Sequence, residues 1–226
     1  MGQAGNRYYS EDDEFPDRVP VFPLTGALLL PGGQLPLNIF EPRYLAMIDD
    51  AMAGDRLIAM VQPDLDGRLL PDGEPELAQV GCLGRITSVA ETGDGRYMVT
   101  LHGIARFRLL RELKSRHPYR MCEMAVFAND LDLSEGAEAV DRQGLLNAFR
   151  EYLDANDLEA DWESVEKSPN ETLVNVLCMM IAPAGAPERQ AILEAPDLKM
   201  RAETLIAITE IALAQESDEP GTRTLQ

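Results

Sequence analysis

The sequence predicts an α+β fold in which a twisted β-barrel or sheet lobe over residues 18–128 precedes an α-helical bundle over 129–215. Three observations carry this expectation. Short apolar runs broken by glycine and proline recur up to residue 128. A two-residue alternation over 97–102 follows a Gly93-Asp94-Gly95 turn. Beyond residue 130 the apolar spacing changes to three and four, the helical period.

Residues 1–17 carry Glu11, Asp12, Asp13, Glu14 and Asp17 among few apolar residues and read as a disordered acidic tail. The prolines of Val19-Pro20-Val21-Phe22-Pro23-Leu24 favour extended backbone. Pro31-Gly32-Gly33 is a turn between two leucine-rich runs. Pro42 then opens a helix whose stripe is Tyr44, Leu45, Ile48 and Met52, with Gly54 at its C-terminal cap. Residues 57–61 form a short apolar strand closed by Gln62-Pro63, and 80–92 form a longer one. Gly81 and Gly84 within it suggest bulges or tight bends. After the turn, Tyr97, Val99 and Leu101 share one face, and Met98, Thr100 and His102 the other. Strands over 104–113 and 119–127 complete the lobe.

In the helical half, Leu145, Phe149, Tyr152 and Leu153 fall on one face. Ser168-Pro169-Asn170-Glu171 reads as a capping box. The helix it opens carries Leu173, Val174, Val176, Leu177, Met180 and Ile181 and stops at Pro183, with Met179 and Met180 expected in the core. A short helix over 187–194 and a long one capped by Asp197 follow, the latter burying Leu198, Ala202, Leu205, Ile208 and Ala212. Residues 216–226 read as a frayed end.

With 226 residues, 45% of them hydrophobic, the chain is long enough to bury a sizeable core. Its net charge of -19 disfavours general binding to nucleic acid or anionic membranes. Residues 131–226 hold 20 acidic and 7 basic residues, so the helical half carries most of that charge. No run approaches the roughly 18 apolar residues of a membrane span, and the acidic start lacks a signal-peptide core, so a cytoplasmic protein is expected. Cys82, Cys122 and Cys178 are far apart and read as buried free thiols, with neither a zinc site nor a disulfide framework. None of the three lysines follows a glycine in a phosphate-binding loop, and there is no GxSxG elbow or HExxH helix. His102 and His117 have no evident nucleophile to serve. No cofactor, metal or catalytic residue is expected.

The succession Val21-Phe22-Pro23-Leu24, Leu30-Pro31-Gly32, Leu35-Pro36-Leu37, Ile39-Phe40-Glu41-Pro42-Arg43-Tyr44 resembles the opening of the Lon protease N-terminal, substrate-binding domain family. Val80-Gly81-Cys82-Leu83-Gly84-Arg85-Ile86, Leu101-His102-Gly103-Ile104-Ala105-Arg106-Phe107-Arg108 and Glu188-Arg189-Gln190-Ala191-Ile192-Leu193-Glu194 look like later segments of it. The resemblance spans about residues 18–215. It implies a PUA-like β lobe followed by a helical bundle, and a role in selecting and holding substrates. It also implies that the ATPase and peptidase domains of full-length Lon would begin where this chain ends, so a stand-alone, ATP-independent, non-catalytic module is expected.

Three groups of residues are candidates for contact with partners. Leu28, Leu29, Leu30, Leu35 and Leu37 flank the Pro-Gly-Gly turn as a docking patch or as a loop packed on the β lobe. Phe40, Glu41, Arg43 and Tyr44 either set the helix start against the sheet or contact a ligand. Arg106, Arg108 and Arg111, continued by Lys114, Arg116 and Arg120, either face water and pair with carboxylates or form a patch for RNA or another anionic ligand. The expected partners are unfolded polypeptide or a dedicated protein, held in an apolar groove or on a free strand edge; the alternative is an RNA-binding module.

Overall fold

A computed structural model describes residues 2–132, 134, 136–180 and 185–218. An N-terminal hairpin, β1 (Gly2–Ala4) and β2 (Arg7–Tyr9), comes first. Then follow β3 (Arg18–Pro23), β4 (Gln34–Ile39), α1 (Pro42–Ala53), β5 (Leu57–Val61), β6 (Val80–Glu91), β7 (Tyr97–Leu113) and β8 (Arg120–Val126). Two 3-10 turns lead to α2 (Arg142–Ala155), α3 (Trp162–Lys167), α4 (Asn170–Met180), α5 (Ala186–Glu194) and α6 (Leu198–Asp218).

The sheet closes on itself. β6, β5, β3 and β8 are neighbours in that order, and β7 pairs with both β6 and β8. β3 and β5 run parallel; the other pairs are antiparallel. Seventeen residues make β7 long enough to pair with three strands, β4, β6 and β8. Its second half closes the barrel with β8, and Tyr97–His102 carries β4 as an added strand. The change of direction falls at the register shift where Leu83 faces Ala105 but Gly84 faces Gly103. At Gly81 a Cβ would stand 2.4 Å from the Met60 carbonyl and 2.6 Å from the Phe107 ring, so a side chain there would displace the ring from the barrel core.

Two cores result. Val19, Val21, Leu57, Ala59, Leu83, Ala105, Phe107 and Cys122 fill the barrel. The second core lies between the outside of the sheet and the helices, joining Leu30, Leu37, Ile39, Met47 and Ile48 to Leu145, Phe149, Leu177, Ile192 and Leu205. Each such fully buried side chain contributes about 1.5–3 kcal/mol, so the helices are held chiefly by this second layer. The alternation expected over 97–102 is present: Val99 and Leu101 are buried, and Met98 is exposed.

Several expectations change. The N-terminal residues expected to be disordered instead form the hairpin, because Tyr9 is an anchor rather than a solvated residue. Tyr9 is 1% exposed, stacks on Phe15 at 5.7 Å, and its hydroxyl accepts from Arg85 Nη1 at 3.3 Å. Ser168 does not cap α4. Its hydroxyl donates backwards to the Ser164 carbonyl at 2.8 Å, closing α3. In α1 the buried stripe is Tyr44, Met47, Ile48 and Ala51, with Leu45 and Met52 partly buried at its sides. Met180, expected in the core, is 64% exposed at the end of α4. Asp197 caps α6 as expected, its carboxylate accepting from the Met200 N–H at 2.8 Å. Ile181 and Pro183 lie outside the described residues; of the expected frayed end, α6 continues to Asp218 and the rest lies outside them.

Candidate functional site

The connection between β3 and β4 lies flat across the outside of the sheet, and two glycines make room for it. A Cβ on Gly84 would come within 2.9 Å of Leu29 Cδ2, and one on Gly103 within 2.1 Å of the Leu30 carbonyl oxygen. Gly103 also holds the turn through backbone bonds in both directions. Gly32 N–H donates to the Gly103 carbonyl at 2.9 Å, and Gly103 N–H donates to the Gly33 carbonyl at 2.9 Å. Leu28, Leu29 and Leu30 are therefore core residues, all nearly inaccessible, and not the exposed docking patch that the sequence allowed.

Beside this loop a groove of about 420 Å³ opens between residues 24–28, β4, the end of α4 and Arg189 of α5. Leu24 and Met180 are exposed on its walls, and Leu35, Pro36 and Met179 line it. Met179 seats over Gly33, where a Cβ would lie 2.1 Å from its sulfur. The walls are tied together by polar side chains. Gly26 N–H donates to Gln62 Oε1 at 2.9 Å, and Gln62 Nε2 donates to the Ala186 carbonyl at 3.1 Å. Arg189 Nη1 donates to the Gly26 carbonyl at 2.9 Å. These bonds join the loop to α5 across more than a hundred residues of sequence.

β4 adds a second means of contact. It pairs with β7 on one side, and its other edge has no strand partner among the described residues. An unpaired edge offers N–H and C=O groups to an added extended segment. Pro36 stands on that strand with no N–H, which limits indiscriminate pairing. The thioethers of Met179 and Met180 supply adaptable apolar contact beside it.

The other candidate residues are dispersed. Leu37 is buried under β4. Tyr44 packs on Phe22 with ring centroids 4.4 Å apart, and burial raises its pKa. Arg43 pairs with Glu41 at 3.0 Å and Glu74 at 3.6 Å. Phe40 does not help to seat α1: it is 61% exposed, just past the end of β4. Half of the basic run is committed to partners within the chain. Arg106 is 4% exposed, binds Asp130 at 2.8 Å, and donates to the Leu193, Ala195 and Pro196 carbonyls. It is a clamp between the lobes and not a surface contact for an anion. Arg111 pairs with Glu123 at 2.6 Å and Arg120 hydrogen-bonds Glu112 at 2.7 Å, while Arg108, over the Phe127 ring, and Lys114 and Arg116 are exposed.

Sequence reasoning missed Gln62, Asn175, Gln190 and Arg201, which are buried where the lobes meet. Their signal is a polar residue set inside an apolar face, as Asn175 is between Val174 and Val176. Among the described residues no three His, Cys, Asp or Glu side chains are grouped to hold a metal ion. The three cysteines are free and buried, and burial pushes the Cys122 and Cys178 thiols up to about 12. No described helix is long and apolar enough to cross a membrane.

Comparison with known proteins places this architecture. The Lon protease of Desulfosudis oleivorans is 27% identical over 194 residues, covering 84% of this chain and 23% of that protein. Lon protease 2 of Sorangium cellulosum is 29% identical over 204 residues, covering 85% of this chain and 24% of the relative. The chain thus spans about a quarter of the length of these relatives. The N-terminal domain of the Mycobacterium avium complex Lon protease superposes with a TM-score of 0.62 at 18% identity, covering 85% of this chain and 98% of that one. A Lon N-terminal domain protein from Xanthomonas campestris gives 0.52 at 24%, covering 84% and 97%. Residues 18–210 match the family described as the ATP-dependent protease La (LON) substrate-binding domain, and the chain belongs to that family.

Proposed function

We propose that this chain binds exposed or unfolded segments of other polypeptides, without ATP and without chemistry of its own, in the groove beside β4. The observation that carries the reading is the adjacency of an unpaired strand edge to a groove walled by exposed Leu24 and Met180. An extended segment docks by apolar contact with Leu24, Leu35 and the two methionines and by backbone bonds to the outer edge of β4. Its rigid walls, held by Gln62 and Arg189, limit the ordering cost of binding. The family's description as substrate-binding supports the same role. A reducing, cytoplasmic setting fits three buried free thiols.

Fluorescence anisotropy tests this reading, with a labelled, permanently unfolded polypeptide titrated against its folded form. Saturable binding of the unfolded chain with little response to the folded one is expected, at the same affinity with and without ATP. Equal binding of both forms, or of neither, overturns it.

A further inference from the structure

We propose that a second cleft, separate from the groove, binds a small monocarboxylate through the guanidinium of Arg201. The cleft, of about 230 Å³, lies where the loop after β8 faces the start of α6. Arg201 lines it and is 3% exposed. Its Nη1 donates to Asn175 Oδ1 at 2.6 Å, while its buried Nε has no hydrogen-bond partner among the described residues. It makes no ion pair with a described carboxylate. A buried cation is expensive unless it is paired, and burial together with nearby Arg106 pulls the pKa of Arg201 down.

The other charges around the cleft are already committed. Asp130 is held by Arg106, Asp132 accepts from Ser134, and Asp197 accepts from the Met200 N–H. Lys199 stands exposed on the rim, with only a loose contact to Glu203 at 3.8 Å. What is lacking is an acceptor for the Nε side of Arg201. A planar carboxylate meets that edge of a guanidinium with two parallel hydrogen bonds. The three carboxylates around the cleft are balanced by Arg106, Lys199 and Arg201, so a single negative charge suits the site better than the two of phosphate.

The test is an NMR titration of the whole chain with N-acetylglycine, read at the arginine Nε–H resonances, with neutral N-acetylglycinamide and inorganic phosphate as the other arms. A saturable shift of the Arg201 Nε–H with N-acetylglycine alone is expected. Arg201→Lys should remove that resonance and weaken binding by about tenfold or more. Lys199→Glu, on the exposed rim, leaves the fold intact and should weaken binding several-fold, which keeps the test decisive if Arg201→Lys fails to fold. No saturable shift, an equal response to the amide, tighter binding of phosphate, or undiminished affinity in Lys199→Glu overturns the proposal. None of these results bears on polypeptide binding in the groove beside β4.

Discussion

Replacing Gly103 by alanine should dislodge the leucine loop. The added methyl would begin 2.1 Å from the Leu30 carbonyl oxygen, whereas such atoms normally approach no closer than about 3.3 Å. The loop must retreat by roughly an ångström. That movement stretches both backbone bonds between Gly103 and the Gly32-Gly33 turn. Each is worth about 1 kcal/mol net, and each buried group left without a partner costs about 1–3 kcal/mol. Together with the loosened packing of Leu29 and Leu30, the loss should be about 3–5 kcal/mol, a large part of the about 5–15 kcal/mol that holds a typical domain. In urea the midpoint should fall by about 1–2 M with little change in slope. Gly73→Ala is the control. Gly73 has φ 88° but open space around its Cβ position, so only backbone strain of about 1–2 kcal/mol is expected. If Gly103→Ala proved no less stable than Gly73→Ala, the claim that Gly103 pins the loop would be refuted.

Tyr9→Ala should destabilise the protein by about 3 kcal/mol, because the N-terminal hairpin is anchored by a buried ring; a change under about 0.5 kcal/mol by denaturation would restore the disordered tail. Asp130→Asn leaves Arg106 buried beside a neutral partner and should cost about 3–5 kcal/mol, lowering the thermal midpoint by roughly 10 °C; a shift of a degree or two would show that the three carbonyls alone satisfy Arg106. Desolvation lowers the His102 pKa below 6.5, so the unfolded chain takes up that proton first as pH falls. The resulting stability is complete above about pH 6.5 and is lost below it, and His102→Gln should flatten the pH 7 to 5 stability profile; identical slopes would discount His102 as the cause.

Much of the fold was legible because its determinants are local. The hairpin at Gly93-Asp94-Gly95, the proline start of α1 and the aspartate cap of α6 each depend on a few neighbouring residues. The alternation over 97–102 sorted the residues of β7 onto two faces before its partners were known. Long-range determinants were hidden. Nothing near Leu28-Leu29-Leu30 says that glycines at 84 and 103 leave a flat bed for it. Arg106 in a basic run looks like a surface residue until Asp130 and the turn into α6 close around it. Tyr9 among acidic neighbours lacked the period that marks a strand, because its hairpin is only three residues on each side. The candidate groove was half visible. Leu35 and Leu37 were marked as candidates beside the turn, but the strand they lie on, and its meeting with Leu24, Met180 and the tie through Gln62, come together only in three dimensions.

The central claim is that β4 and its flanking groove receive the polypeptide, and hydrogen exchange of the chain saturated with an unfolded polypeptide tests it most directly. Added protection should concentrate in residues 34–39, with Met179 and Met180 methyl signals shifting in parallel, and Met180→Glu should abolish both at unchanged stability. Protection that leaves residues 34–39 unchanged, or binding undiminished in Met180→Glu, would contradict the account.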